Sequence, residues 1–246
     1  MYVYYCDISN FINDNTLFEQ EKRGLMDLID NERLEKMKKY KSVSDEIRSL
    51  TAGLLIQVAL QDHINKTEYL YSDCESIIYL KDKLSQEGKI EIHYSPNGYG
   101  KPFIIAYPNF HFSLSHSGSY VALACHDEKI GLDIQEERGS KAIAISDRFY
   151  AKEERKILEE APDKESQTHA FYRIWSAKEA YIKYTGRGIS ENLASFTVDL
   201  ERHIVKKADT DATTGYIYEP LHLENTSSMI CSGSEVRNIA VIKVVL

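Results

Sequence analysis

WSAKEAYIK, Trp175 to Lys183, is the stretch on which the reading of this chain turns. Phe171, Ile174, Ala177, Tyr181 and Ile182 recur through and just before it at three- and four-residue intervals, the period of a helix with one buried side. On that helix Trp175, Glu179 and Lys183 stand four residues apart and form a column, a carboxylate with an aromatic ring one turn before it and an ammonium one turn after. Lys178 flanks the column. Alone, a glutamate followed at i+4 by a lysine is an ordinary pair on a solvated face, so the stretch becomes a site only through partners elsewhere.

Moving upstream, the period changes from helix to strand. Ile130, Leu132 and Ile134 alternate with Gly131, Asp133 and Gln135, which puts Asp133 and Gln135 on one face. That face is either the solvent side of an antiparallel sheet or part of a site. Val121, Leu123 and Cys125 alternate likewise, and FHFSLSHSG (110–118) sets Phe110, Phe112 and Leu114 opposite His111, Ser113 and Ser115. The adjacent Ser115 and His116 invite a hydrolase reading, but no G-x-S-x-G elbow surrounds them and strand neighbours point to opposite faces. Ile90, Ile92 and Tyr94 predict another strand, closed by a turn at Pro96, Asn97 and Gly98.

At the N-terminus Tyr2 to Asp7 reads as a strand and Asn13 to Ile29 as helical. A basic segment follows, with Arg33, Lys36, Lys38, Lys39 and Lys41 around a short helix whose apolar positions are Leu34 and Met37. After a break at Ser42 to Ser44, a longer helix is expected with Ser44 as N-cap, Asp45 and Glu46 in its first turn, and Ile47, Leu50, Leu54, Leu55 and Val58 as its buried stripe. Arg48 and Ser49 lie early on it. The basic cluster is either a solvated face or a phosphate cradle.

Composition narrows the classes. With 43% apolar and 28% charged residues over 246 positions the chain reads as a soluble globular protein, and a net charge of -8 argues against general affinity for nucleic acid or anionic membranes. No basic region followed by an apolar run opens the chain, and no stretch approaches membrane-spanning length, so a cytoplasmic protein is expected. Cys6, Cys74, Cys125 and Cys231 are far apart, which predicts buried free thiols rather than a zinc knuckle or disulfide framework.

GKPFI from Gly100, FSLSHSG from Phe112, IGLDI from Ile130 and WSAKEAYIK from Trp175 resemble, in order and approximate spacing, the blocks of the 4'-phosphopantetheinyl transferases of the larger, monomeric, surfactin-synthetase-activating type. The resemblance implies transfer of the phosphopantetheine arm of coenzyme A to a serine of an acyl or peptidyl carrier protein, with release of adenosine 3',5'-bisphosphate. The carrier it implies belongs to fatty-acid, polyketide or nonribosomal peptide synthesis. Carboxylates holding magnesium are the usual device for such a phosphoryl-type transfer. By match to the motif, Asp133 and Glu179 are expected to ligate magnesium, with Gln135 as a third contact through its carbonyl or a water. Glu179 is also the expected acceptor of the serine proton, and Lys183 is expected to face the pyrophosphate with Lys178 beside it. Arg33, Lys36, Arg48 and Ser49 match contacts to the nucleotide end of coenzyme A, as do Lys101, Ser115 and His116, the last near the 3'-phosphate.

Gln135 is a departure, since many members of this type carry a second acid there. On a strand Glu136 points to the other face, and Glu137 regains the right one only if the strand extends that far. The resemblance further implies an α+β fold of two similar α/β halves, 1–129 and 130–246, related by a pseudo-twofold axis with coenzyme A between them. Gly186, Arg187 and Gly188 are expected to end the long helix, with the carrier docking close by. Two other classes share these residues: a metal-dependent nucleotide phosphoesterase, and a non-catalytic coenzyme A-binding relative.

Overall fold

The computed structural model describes residues 1–69, 75–96, 100–139, 142–188 and 191–246 and has an α+β architecture. The chain forms two compact units, Met1–Pro96 with Pro102–Asp127 and Asn238–Leu246, and Asn97–Lys101 with Glu128–Arg237. Whereas the expected halves meet at 129/130, the chain crosses between units at 96/97, 101/102, 127/128 and 237/238.

In the first unit the strand expected at Tyr2–Asp7 (β1) forms with those bounds, and Val3, Tyr4, Tyr5 and Cys6 are all buried, the mark of a central strand covered on both faces. It runs parallel to β12 (Ala240–Val245) and antiparallel to β6 (Tyr120–His126). β2 (Ser76–Tyr79) and β5 (His111–Ser117) complete the order β2-β12-β1-β6-β5. Helix α4 (Val43–Asn65) packs on β6 and β1, and Ile47, Leu50, Leu54, Leu55 and Val58 are buried as expected. Its N-cap is Ser42, not Ser44: the Ser42 carbonyl already accepts from the Asp45 and Glu46 amides, which leaves Ser44 inside the helix.

The helical run expected from Asn13 to Ile29 divides at Asp14. The Asp14 carboxylate accepts from the Thr16 and Leu17 amides and so ends α1 (Ser9–Asn13) and caps α2 (Asn15–Met26). α3 (Asn31–Met37) is capped in the same way by Asp30. The alternation at Ile90 and Ile92 makes no strand, because Gln57 holds both the amide and the carbonyl of Ile90, at 2.8 and 2.7 Å. Pairing starts only at Tyr94–Pro96 (β3), opposite Pro102–Ile104 (β4). The turn expected beyond Pro96, at Asn97 and Gly98, lies outside the described residues.

In the second unit β7 (Ile130–Glu136), β11 (Thr226–Ser232), β10 (Thr213–Tyr218), β9 (Ile204–Lys207) and β8 (Phe196–Asp199) form an antiparallel sheet in that order. After α6 (Ala142–Phe149) and α7 (Lys152–Glu159), the long helix α8 (Lys164–Thr185) lies across β7 and β11. Asp163 caps its start and Gly186, at φ +71°, ends it, with its amide on the Ile182 carbonyl. Cys6, Cys125 and Cys231 are buried free thiols, and Cys74 lies outside the described residues. Among the described residues no helix is long and apolar enough to cross a membrane.

Candidate active site

Gly131 decides the geometry of the second unit's polar centre. A Cβ at this position would collide with the Ala180 carbonyl oxygen and the Tyr184 amide, so only glycine lets α8 descend onto β7 here. Two residues along the same face, Asp133 is 3% exposed and meets the helix rather than solvent, so this face is not the solvent side of the sheet. Its Oδ1 accepts from Lys183 Nζ at 2.7 Å and its Oδ2 from Gln135 Nε2 at 3.0 Å. Glu179, half-buried, has its carboxyl raised by burial and then by the Asp133 charge, with Lys183 acting the other way. Asp133, Gln135, Glu179 and Lys183 are therefore gathered at one place. The ammonium of Lys183 goes across to the strand, not back along the helix to Glu179. Trp175 leaves the column as well, stacking on Phe171 at 6.0 Å and meeting Phe149 edge-on at 6.1 Å.

Lys178 does not join this centre. Its ammonium is fully buried 2.9 Å from Glu154 Oε1 and donates to the Leu193 and Phe196 carbonyls at 2.8 and 2.9 Å, over the Phe196 ring. Consecutive helix residues point about 100° apart, so Lys178 turns into the core where Glu179 turns to Asp133. Glu154 in turn accepts from the Val198 and Ala151 amides, both at 2.7 Å. In the fold Lys178 is thus a satisfied buried cation, turned away from Asp133. Lys101 also serves the framework, donating to the Ile130 and Lys183 carbonyls at 2.5 and 2.6 Å. It ties the start of β7 to the last turn of α8, where a cation suits the helix dipole. Burial, followed by the charge of Lys183, pushes its ammonium down to about 8.

Glu137 reaches the α8 face after all, because its amide extends the ladder by bonding the Asn225 carbonyl. Its carboxylate is held by the Ser227 hydroxyl at 2.7 Å and stands 2.8 Å from His169 Nδ1.

In the first unit Arg33 is 9% exposed, with its guanidinium over the Tyr94 ring at 5.6 Å. Tyr94 donates to Asp30 Oδ2 at 3.0 Å, so cap, cation and ring form one cluster. Gly53 admits it, since a Cβ there would crowd Arg33 Cγ and Ile29 Cγ2. One turn on, Lys36 is held below its ordinary value by burial and by the charge of Arg33. Arg33, buried, and Lys36, exposed, set two cations side by side, an arrangement that suits an anion. Ser49 is buried, and among the described residues its hydroxyl has no hydrogen-bond partner. Arg48 instead donates through Nε and Nη2 to the Gly118 carbonyl, at 3.3 and 3.0 Å, and pairs with Asp45 at 3.1 Å. It clamps the β5–β6 hairpin, whose Gly118 adopts φ +54°. Beside it Ser115 is buried and His116 exposed, on opposite faces of β5.

Sequence reasoning missed Glu154, which carries no signal in the one-dimensional pattern. Gly131 does carry such a signal, since a glycine inside a strand marks close backbone approach.

Two carboxylates, an amide and a lysine therefore stand together on this face of the second unit. Residues 129–235 match the family model described as the 4'-phosphopantetheinyl transferase superfamily. The 4'-phosphopantetheinyl transferase Sfp of Bacillus subtilis is 33% identical over 189 residues, 77% of this chain and 74% of that protein. The 4'-phosphopantetheinyl transferase gsp of Aneurinibacillus migulanus is 30% identical over 220 residues, 87% and 81% of the respective chains. A solved structure of Thermotoga maritima holo-[acyl-carrier-protein] synthase matches 42% of this chain and 61% of its own, at a TM-score of 0.33 and 15% identity, too remote to carry weight. The chain belongs to the 4'-phosphopantetheinyl transferase family and is a transferase.

Proposed function

We propose that this enzyme transfers the 4'-phosphopantetheine arm of coenzyme A to a serine hydroxyl of an acyl or peptidyl carrier protein, with magnesium, releasing adenosine 3',5'-bisphosphate. The observation that carries this reading is the gathering of Asp133, Gln135, Glu179 and Lys183 where Gly131 admits α8. The named relatives are its support from comparison.

Among the described residues no cluster of three His, Cys, Asp or Glu side chains forms. Two carboxylates with an amide oxygen fit magnesium, which favours hard oxygen donors, keeps waters and is completed by substrate phosphates. Asp133 and Glu179 would hold it, with Gln135 contributing its amide oxygen or orienting a water. Magnesium, when bound, neutralises charge on the pyrophosphate and polarises the attacked phosphorus. Glu179 takes the serine proton, directly or through water, and its raised carboxyl suits that role. The serine oxygen–phosphorus bond forms as the anhydride bond to the adenosine half breaks. Lys183 would face the pyrophosphate, where negative charge develops on the departing phosphate of adenosine 3',5'-bisphosphate. In the first unit, Arg33, Lys36 and the unpartnered Ser49 hydroxyl suit the nucleotide's phosphates, with Arg48, Ser115 and His116 at the same end. Each charged hydrogen bond to a phosphate contributes about 1.5–3 kcal/mol. We read the enzyme as a cytoplasmic monomer that meets neither nucleic acid nor membrane.

An intact-mass assay of apo carrier proteins with coenzyme A and this protein tests the reading. The expected result is a magnesium-dependent gain of phosphopantetheine mass on the carrier serine, lost with chelator and in Glu179→Ala. Release of adenosine 3',5'-bisphosphate without a carrier would point to the phosphoesterase. Coenzyme A binding with no transfer to any carrier would point to the non-catalytic relative.

A further inference from the structure

Lys183 and the expected metal make claims on the same carboxylate. The ammonium lies 2.7 Å from Asp133 Oδ1, the Gln135 amide takes Oδ2, and the Asp133 side chain is 4% exposed. A divalent cation on this carboxylate would bring two and one positive charges to contact distance in a poorly hydrated place, where their repulsion is strong. Lys183 is 29% exposed and has a long flexible stem, so it is the partner able to withdraw. The two cations can stay close only when an anion stands between them, and the anion the site is read to bind is a pyrophosphate.

We propose that Lys183 is a resident counter-ion exchanged for the metal: its ammonium neutralises Asp133 until a divalent cation arrives, and is then released to the substrate phosphate. Resting on the magnesium reading of Asp133 and Glu179, this makes metal and coenzyme A bind with positive coupling through one side chain. Magnesium alone binds weakly because it must displace the lysine, and coenzyme A strengthens it by giving the displaced ammonium a new partner. Gln135 reinforces the device, since a neutral amide in place of a second acid leaves the site too weakly negative to hold both cations unaided.

Calorimetric titration of Mg2+ into the full-length protein, first alone and then with coenzyme A present, tests the exchange. In Lys183→Met, Mg2+ alone is expected to bind about tenfold tighter than in the wild type, and the gain in Mg2+ affinity on adding coenzyme A is expected to shrink by a similar factor. Lys183→Arg, which keeps a cation beside Asp133, is expected to bind Mg2+ alone no tighter than the wild type. Unchanged affinity for Mg2+ alone in Lys183→Met, while the wild type binds Mg2+ with coenzyme A, overturns the exchange and leaves the metal reading standing. Tightening in the Arg variant equal to that in the Met variant overturns it as well. If no variant takes up Mg2+ even with coenzyme A, the metal reading itself falls and the exchange with it.

Discussion

Glu179 is asked to be both a metal ligand and a proton acceptor, and its surroundings tell on each role. Burial and the Asp133 charge disfavour its ionised form, so its carboxyl stays protonated to a higher pH than an ordinary glutamate. Below that point it can neither hold a cation nor take a proton. The acid limb of kcat/KM at low magnesium is therefore expected to lie above the usual glutamate value of about 4.3; a pH–rate profile reads it, and a limb at or below that value would contradict the assignment. Folding follows the opposite sign. Because the folded state holds this proton more tightly, Glu179 stabilises the fold at acid pH, and that contribution fades as pH rises through the raised value. Gln135 is expected to be tolerated: in Gln135→Ala the loss of one bond to Asp133 raises the magnesium requirement by about tenfold. Turnover at saturating magnesium survives, and its abolition in a steady-state assay would make Gln135 essential.

At the scale of elements, α8 is set by two contacts on different sides. Toward the sheet, Gly131 lets the helix come close enough for Lys183 to reach Asp133. Gly131→Ala is expected to lose transfer activity and to destabilise the protein by about 1–3 kcal/mol through overpacking against backbone that cannot yield. Urea denaturation beside an activity assay reads both. Toward α7, the Lys178–Glu154 pair has every strong hydrogen bond satisfied, linking α8 to the Phe196–Asp199 strand. Lys178→Met leaves Glu154 buried and unpaired, with an expected loss of about 3–5 kcal/mol. Adding Glu154→Gln should restore a large part of it. If the single variant were as stable as the wild type, the pair would not hold the helix.

Across the whole molecule, the strand Ala240–Val245 lies between β1 and β2 in the first unit, far in sequence from both. A chain ending at Arg237 is therefore expected to lose amide-exchange protection in the first unit's sheet, while β7–β11 and α8 keep theirs. Uniform loss in both units would show that they do not hold their structure separately.

Periodicity and end signals were enough for β1, for the buried stripe of α4 and for the end of α8 at Gly186, because these follow from local alternation and capping. Local signals failed where a side chain from elsewhere claimed the backbone. Asp14 divides a helical run by capping its second half, and Gln57 holds Ile90 away from any strand. Chain pattern and family likeness brought Asp133, Gln135, Glu179, Lys178, Lys183 and Lys101 together as names without directions. Only the packed structure separates those that turn to one another from those that brace the frame. The side of a helix that a lysine takes depends on which carboxylate lies within its reach, and Glu154 and Asp133, more than twenty residues away, are brought there by the fold and not by the spacing.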